Sequence, residues 1–241
     1  YQLTLPVHGI ILAAAGMGIQ AAISRLCASF TALEKEKESR NTLLLGMFLS
    51  GAVSLLLSAG VYLNADFIAG ELLKEARTVS LLRILSFSFP LSALHSCVNS
   101  FYYARKKTGL PAFIQLLEQT SRIGSTYMIY LVLLSGGKEI TPMIAAGGAL
   151  FSEIAATAAC FLALGVDFSR ENYHPLSGLW RQPRNPGSVL SSLKEIGEIA
   201  VPHSANRLLL TVLSGIEMVL IPQQLLLAGM TQTDALAVYG I

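Results

Sequence analysis

His203, Arg207, Ser214 and Glu217 stand in one apolar stretch, Lys194 to Pro222, separated by four, seven and three residues. At 100° per residue they fall, with Leu210, inside an arc of roughly 80° on a helix. Asn206 adjoins the arc, and most of the circumference is apolar. Imidazole, guanidinium, hydroxyl and carboxylate can hold an anion, exchange a proton or pair with other helices. A charge at a bilayer centre costs at least ~3 kcal/mol, so the stripe belongs against protein or a water-filled cavity. Arg207 and Glu217 are ten residues apart, about 15 Å on a straight helix, and need separate partners. Pro202 and Pro222 each remove a backbone donor and are expected to mark a bend or a boundary.

Two further constellations carry polar chemistry at helical spacing. Gln115, Glu118, Gln119, Arg122 and Thr126 share one face of an apolar run. Glu118 and Arg122 have the i,i+4 spacing and order of an ion pair. Ser88, Ser92, His95, Asn99 and Tyr103 form a second stripe, in which His95 reads as a packed, hydrogen-bonded side chain or as a proton carrier. Glu153 is the lone charge in a run rich in Ala and Gly. Cys27, Cys97 and Cys160 are isolated in or beside apolar runs, so neither a disulfide framework nor a metal site is expected. The chain has no phosphate-binding glycine loop of the GxxxxGK[ST] type, no GxSxG, no HExxH and no CxxC. Nucleotide hydrolysis is excluded on that ground, no enzyme is expected, and the basic loops do not read as nucleic-acid sites.

The elements that must carry these residues follow from composition. Of 241 residues, 53% are hydrophobic and 13% charged, against about 25% charged in a soluble domain; the mean hydropathy is +0.57. The fold class is therefore all-α, a polytopic transmembrane helical bundle. Spans are expected at 5–23, 41–63, 83–104, 111–134 and 141–164, then at 196–222. Between the last two lies a polar linker, 167–193, holding Trp180 where an interfacial anchor would sit. The stretch around Lys35 to Arg40 reads as a charged connector in water, and Asn64 to Val79 as an interfacial one. Pro90 predicts a kink. Ala14, Gly18 and Ala22, and likewise Gly46, Ser50, Ser54 and Ser58, recur every four residues. Such seams suit close helix packing, although the serines could also line a substrate path.

Charge placement orients the bundle. Eleven of the 17 Lys and Arg side chains flank or fill the first, third and fifth loops: Arg25 to Arg40, Arg105 to Lys107, and Arg170 to Lys194. Only Lys74, Arg77 and Lys138 occupy the even loops. The odd loops are thus expected in the cytoplasm, with Tyr1 outside. No basic leader precedes the first apolar run, and the chain is expected to be a piece of a longer protein.

Several segments together resemble a known family. They are YQLTLPVHGIILAAAGMGIQAAISRL, ALHSCVNSFYYARKKTGLPAFIQLLEQTSRI, and the run from Pro202 through Arg207 and Glu217 to Pro222, followed by Gly229 and Ala235-x-x-x-Tyr239-Gly240. In order and spacing they resemble the polysaccharide biosynthesis/stage V sporulation protein B family of the multidrug/oligosaccharidyl-lipid/polysaccharide flippase superfamily, which is MATE-like. The resemblance implies a two-lobe fold around a central cavity. Residues 1–166 would supply helices of the first lobe, and 194–241 the start of the second. It implies a cell-membrane protein that flips a lipid-linked oligosaccharide or cell-wall precursor by alternating access. Arg122, Arg207, His203, Asn206, Ser214, His95 and Asn99 would then face the substrate cavity. An ion-coupled extruder of small organic cations is the competing expectation, with Glu217 and Glu153 as the ion-coupling residues. A membrane scaffold for envelope or spore assembly is a third. The expected partners are the bilayer and a lipid-linked sugar, with no nucleic acid or nucleotide, and no cofactor beyond a coupling proton or sodium ion.

Overall fold

Lipid offers the backbone no hydrogen bonds, so an apolar chain that crosses it must satisfy its own amides, and a helix does so within one segment. The computed structural model describes residues 5–72, 78–136, 141, 143–170 and 186–229, and among these the secondary structure is helix and turn, with no strand. Helix α1 (Leu5–Leu12) continues through a π-helical turn, Ala13–Met17, into α2 (Gly18–Ala32). Next come α3 (Glu36–Leu63), the short α4 (Ala65–Phe67) and a second π-turn, Ile68–Leu72. Helices α5 (Val79–Ser86) and α6 (Ser88–Ala104) follow. The chain then forms α7 (Gly109–Ser135), α8 (Met143–Arg170) and α9 (Pro186–Leu227). Glu36–Leu63, Val79–Ala104 and Met143–Arg170 are long and apolar enough to cross a membrane.

Small residues set how closely the helices approach. Gly46, Ser50, Ser54 and Ser58 of α3 are all buried. A methyl group added at Gly46 would come within 2.6 Å of Ile23 Cδ1 on α2. One added at Gly18 of α2 would collide with the Ala200 carbonyl and Ser204 of α9. The main core gathers Ile23, Leu43, Cys97, Val98, Phe101 and Ile196 from α2, α3, α6 and α9.

The break at Phe87 has a local cause. Pro90 cannot donate to the carbonyl of Ser86, four residues back. Ser58 Oγ donates to that carbonyl instead, at 2.6 Å. The α3 seam therefore also satisfies an acceptor that the proline strands.

The turns at the basic end share one design. After α2, Lys35 N–H donates to Phe30 O at 2.9 Å, with Glu34 left-handed at φ 56°. After α6, Lys107 N–H donates to Tyr102 O at 3.0 Å, with Lys106 at φ 59°. Both are six-to-one closures in which a charged residue occupies the position glycine prefers.

The charged stretch expected in water near Lys35 is largely helical, because α3 begins at Glu36. Glu36 binds Arg105 at 2.7 Å, and a carboxylate at a helix start is favoured by the macrodipole. Arg40 is buried with its guanidinium 5.6 Å from the Phe168 ring. Cys27 Sγ donates to Ser39 O at 3.3 Å, and burial pushes its thiol up to about 11. These contacts tie the ends of α2, α3, α6 and α8 together.

Helix α9 places Pro202 in its interior rather than at its start and runs past Pro222 to Leu227. A proline costs one hydrogen bond, which membrane helices tolerate. Trp180, residues 171–185 of the linker, and the helix expected from Ala235 lie outside the described residues.

Candidate functional site

Helices α2, α6, α7 and α9 leave polar space between them at the basic end. One cavity of about 360 Å³ is lined by Met17 of the first π-turn, Gln20, Ala21 and Ser24 of α2, Ser100 of α6, and His203 and Arg207 of α9. A second, of about 270 Å³, is lined by Gln20, then Ser96, Asn99, Ser100 and Tyr103 of α6, and Pro111, Gln115 and Glu118 of α7. Gln20 and Ser100 border both, so the two adjoin as one open chamber, with His203 and Arg207 in one half and amides, hydroxyls and the Glu118 carboxylate in the other. Ser24 precedes Arg25 by one residue and Tyr103 precedes Arg105 by two, which puts the chamber next to the basic turns.

Close packing fixes its walls. Gly18 brings α2 against α9 at Ala200 and Ser204, and His203 and Arg207 follow within two turns. A smaller side chain at position 18 allows the approach; any Cβ would push α9 away. On the opposite wall Glu118 binds Arg122 at 2.5 Å, and Arg122 Nε donates to Ser152 Oγ of α8 at 3.3 Å. The pair thus neutralises two charges within one helix and joins α7 to α8.

Behind that wall, His95 of α6 faces Glu153 of α8, with Nδ1 and Oε2 3.2 Å apart and side chains only 8% and 9% exposed. Thr157 Oγ1 donates to Leu91 O at 3.1 Å and Cys160 Sγ approaches Asn99 Oδ1 at 3.8 Å, so α6 and α8 are joined over three turns.

The expected site residues therefore separate into groups. His203, Arg207 and Asn99 line the chamber. Arg122 is paired at its edge, and His95 is buried against Glu153. Asn206, Ser214 and Glu217 are exposed, as Arg207 is, but border neither cavity. The chamber meets α9 over one turn, whereas His203 to Glu217 spans about 21 Å. Gln20, Ser24, Ser96 and Ser100 are chamber residues that the stripes did not include. Gln20 and Ser24 carried a signal, since they are i,i+4 polar neighbours in an otherwise apolar run.

A larger groove of about 600 Å³ lies between α7 and α8, lined by Arg122, Ile123, Thr126, Tyr127, Tyr130 and Ile144 among others. Ile123 and Tyr127 are 72% and 60% exposed, and the mostly apolar lining suits a hydrocarbon chain better than a sugar.

Residues 1–136 match the MatE family. Stage V sporulation protein B of Bacillus subtilis (strain 168) is 23% identical over 240 residues, covering all of this chain and 45% of the relative. The chain thus spans less than half the length of that relative. No solved structure matches.

Proposed function

The chain belongs to the MatE family, and from that premise we propose that the whole protein is a flippase of the cytoplasmic membrane. In this reading it moves a lipid-linked oligosaccharide or cell-wall precursor between leaflets by alternating access. The observation that supports it best is the chamber: an open polar recess among apolar helices, with Arg207 and His203 on one wall and amides, hydroxyls and the Glu118 carboxylate on the other. Arg207 suits a phosphate or pyrophosphate, because its planar fork donates two parallel hydrogen bonds. His203 adds a donor at the same wall. Gln20, Asn99, Gln115 and the serines offer both donors and acceptors, which sugar hydroxyls and acetamido groups require. The lipid tail stays in hydrocarbon, so only the headgroup needs the chamber.

In the same reading residues 1–166 belong to a first lobe and 194–241 open a second. Helix α9 then contributes the cations that close the chamber from the second-lobe side. The exposed Ser214 and Glu217 face the remainder of that lobe, where Glu217 serves as a gate contact. The basic turns, and with them the chamber mouth, face the cytoplasm, where charged precursors are made.

The test is transport by the purified full-length protein in liposomes, with a fluorescent lipid-linked oligosaccharide and a lipophilic cationic dye offered separately. Movement of the lipid-linked sugar with no dye transport is expected. Dye extrusion driven by a proton or sodium gradient, without movement of the sugar lipid, would favour the extruder reading instead.

A further inference from the structure

The first rod of the bundle, α1 through α2, meets α9 at two glycines. A methyl group added at Gly9 would lie 3.0 Å from Thr211 Cγ2, and one added at Gly18 would strike the Ala200 carbonyl. On an unbroken α-helix the nine residues between them turn through about 900°, which puts the two glycines on opposite faces. The π-turn Ala13–Met17 takes up one residue more than an α-turn. That offset of about 100° brings the two contacts to within roughly 80° of each other, so both can meet one helix. Between them the π-turn lies beside the part of α9 that carries His203 and Arg207, and Met17 lines the chamber with both.

Gln20 follows the π-turn by three residues and borders both halves of the chamber. A helical side chain leans toward the N-terminus and covers the turn before its own Cα. Gln20 accordingly folds back over Gly16, four residues earlier. A methyl group added at Gly16 would lie 2.9 Å from Gln20 Nε2, whereas its nearest neighbour on another helix, Ser50 Oγ, would be at an ordinary 3.8 Å. Gly16 is buried. What the missing side chain at position 16 provides is therefore room for the Gln20 amide.

On one side of that amide stand His203 and Arg207; on the other stand Asn99, Gln115 and Glu118. In the flippase reading, on which this inference rests, the phosphate lies with the cations and the sugar with the amides. Gln20 then stands where phosphate and sugar join. We infer that Gln20 is a specificity-determining residue of the chamber, reading the sugar attached to the phosphate, and that Gly16 is its positioning residue. A carboxamide suits the junction because it is uncharged and offers both N–H donors and a carbonyl acceptor. It donates to a sugar oxygen and accepts from a hydroxyl or an acetamido N–H while Arg207 holds the phosphate. A carboxylate of the same length would repel that phosphate.

The test compares two ligands on one protein. A fluorescent lipid-linked oligosaccharide is bound to the purified full-length protein in detergent. It is then displaced by polyprenyl diphosphate carrying one N-acetylhexosamine, or by bare polyprenyl diphosphate. Wild type should prefer the glycosylated lipid. Gln20→Ala should weaken the glycosylated lipid roughly two- to tenfold, the effect of one neutral hydrogen bond, and leave the bare lipid unchanged. Gly16→Ala displaces only the flexible end of Gln20, so it should melt no lower than wild type and yet lose the preference to a similar degree. The double variant should lose no more than Gln20→Ala alone. Gly60→Ala, where nothing lies within 4 Å of the added carbon, should match wild type. Should Gly16→Ala not fold, Gln20→Ala decides alone. Preference kept in Gln20→Ala, or both lipids weakened equally, overturns the inference and leaves the flippase reading standing. Independent losses that multiply in the double variant overturn the positioning role of Gly16. Wild type that binds neither the oligosaccharide lipid nor its competitors overturns the flippase reading, and the role of Gln20 with it.

Discussion

Changing Ser58 to alanine isolates one hydrogen bond whose purpose is visible in the chain. Ser58 is 9% exposed, and its hydroxyl donates to the Ser86 carbonyl at 2.6 Å. That carbonyl lacks its helical donor because residue 90 is proline. The substitution removes little volume, so cavity formation is a small part of its cost. The larger part is an acceptor left without a donor in a dry interior, about 1–3 kcal/mol. Purified protein in detergent should therefore melt at a lower temperature, or unfold at lower denaturant, by that amount. The decisive arm is a double-mutant cycle with Pro90→Ala. Alanine restores the backbone N–H, so in that background Ser58→Ala should cost less, with a coupling of about 1 kcal/mol. Equal costs in both backgrounds would refute the reasoning, because the serine would then not be compensating for the proline.

Gly18→Ala should destabilise more than Gly46→Ala, by about 1–3 kcal/mol against under 1 kcal/mol. The first methyl meets the rigid Ala200 backbone and the second only side-chain atoms of Ile23; melting of the two variants in detergent checks the order. Lys106→Gly should stabilise by about 1 kcal/mol, since a left-handed residue costs glycine nothing sterically, and denaturant unfolding reads the shift. Single cysteines at Lys37 and Lys106, in a cysteine-free background, should resist a membrane-impermeant thiol reagent in intact cells and react after permeabilisation. Labelling of both in intact cells would invert the orientation.

The bundle was legible in the sequence because the helices advertise themselves locally, through long apolar runs with few or no charges. Glu118 and Arg122 were legible for the same reason, being four residues apart on one helix. His95 and Glu153 are 58 residues apart, and periodicity assigns each to a face without saying which faces meet. Their contact needs the packing of α6 on α8, which the small residues along α8 permit but do not encode. The chamber was half legible. The polar faces of α6 and α7 are dense enough to stand out, whereas Gln20 and Ser24 are two residues in a run otherwise fit for lipid. The stripe on α9 was legible as a stripe, but only His203 and Arg207 of it line the chamber. Ser214 and Glu217 share the angle of Arg207 and not its surroundings.

The measurement closest to the central claim is the rate at which purified, folded Arg207→Ala protein moves a fluorescent lipid-linked oligosaccharide across a liposome membrane. Losing one charge-assisted contact to a phosphate, worth about 1.5–3 kcal/mol, corresponds to a roughly ten- to hundredfold slower rate. Arg207→Lys, which keeps the charge and loses the fork, should fall between that variant and wild type. Transport by Arg207→Ala at the wild-type rate would contradict a chamber that holds the anionic headgroup.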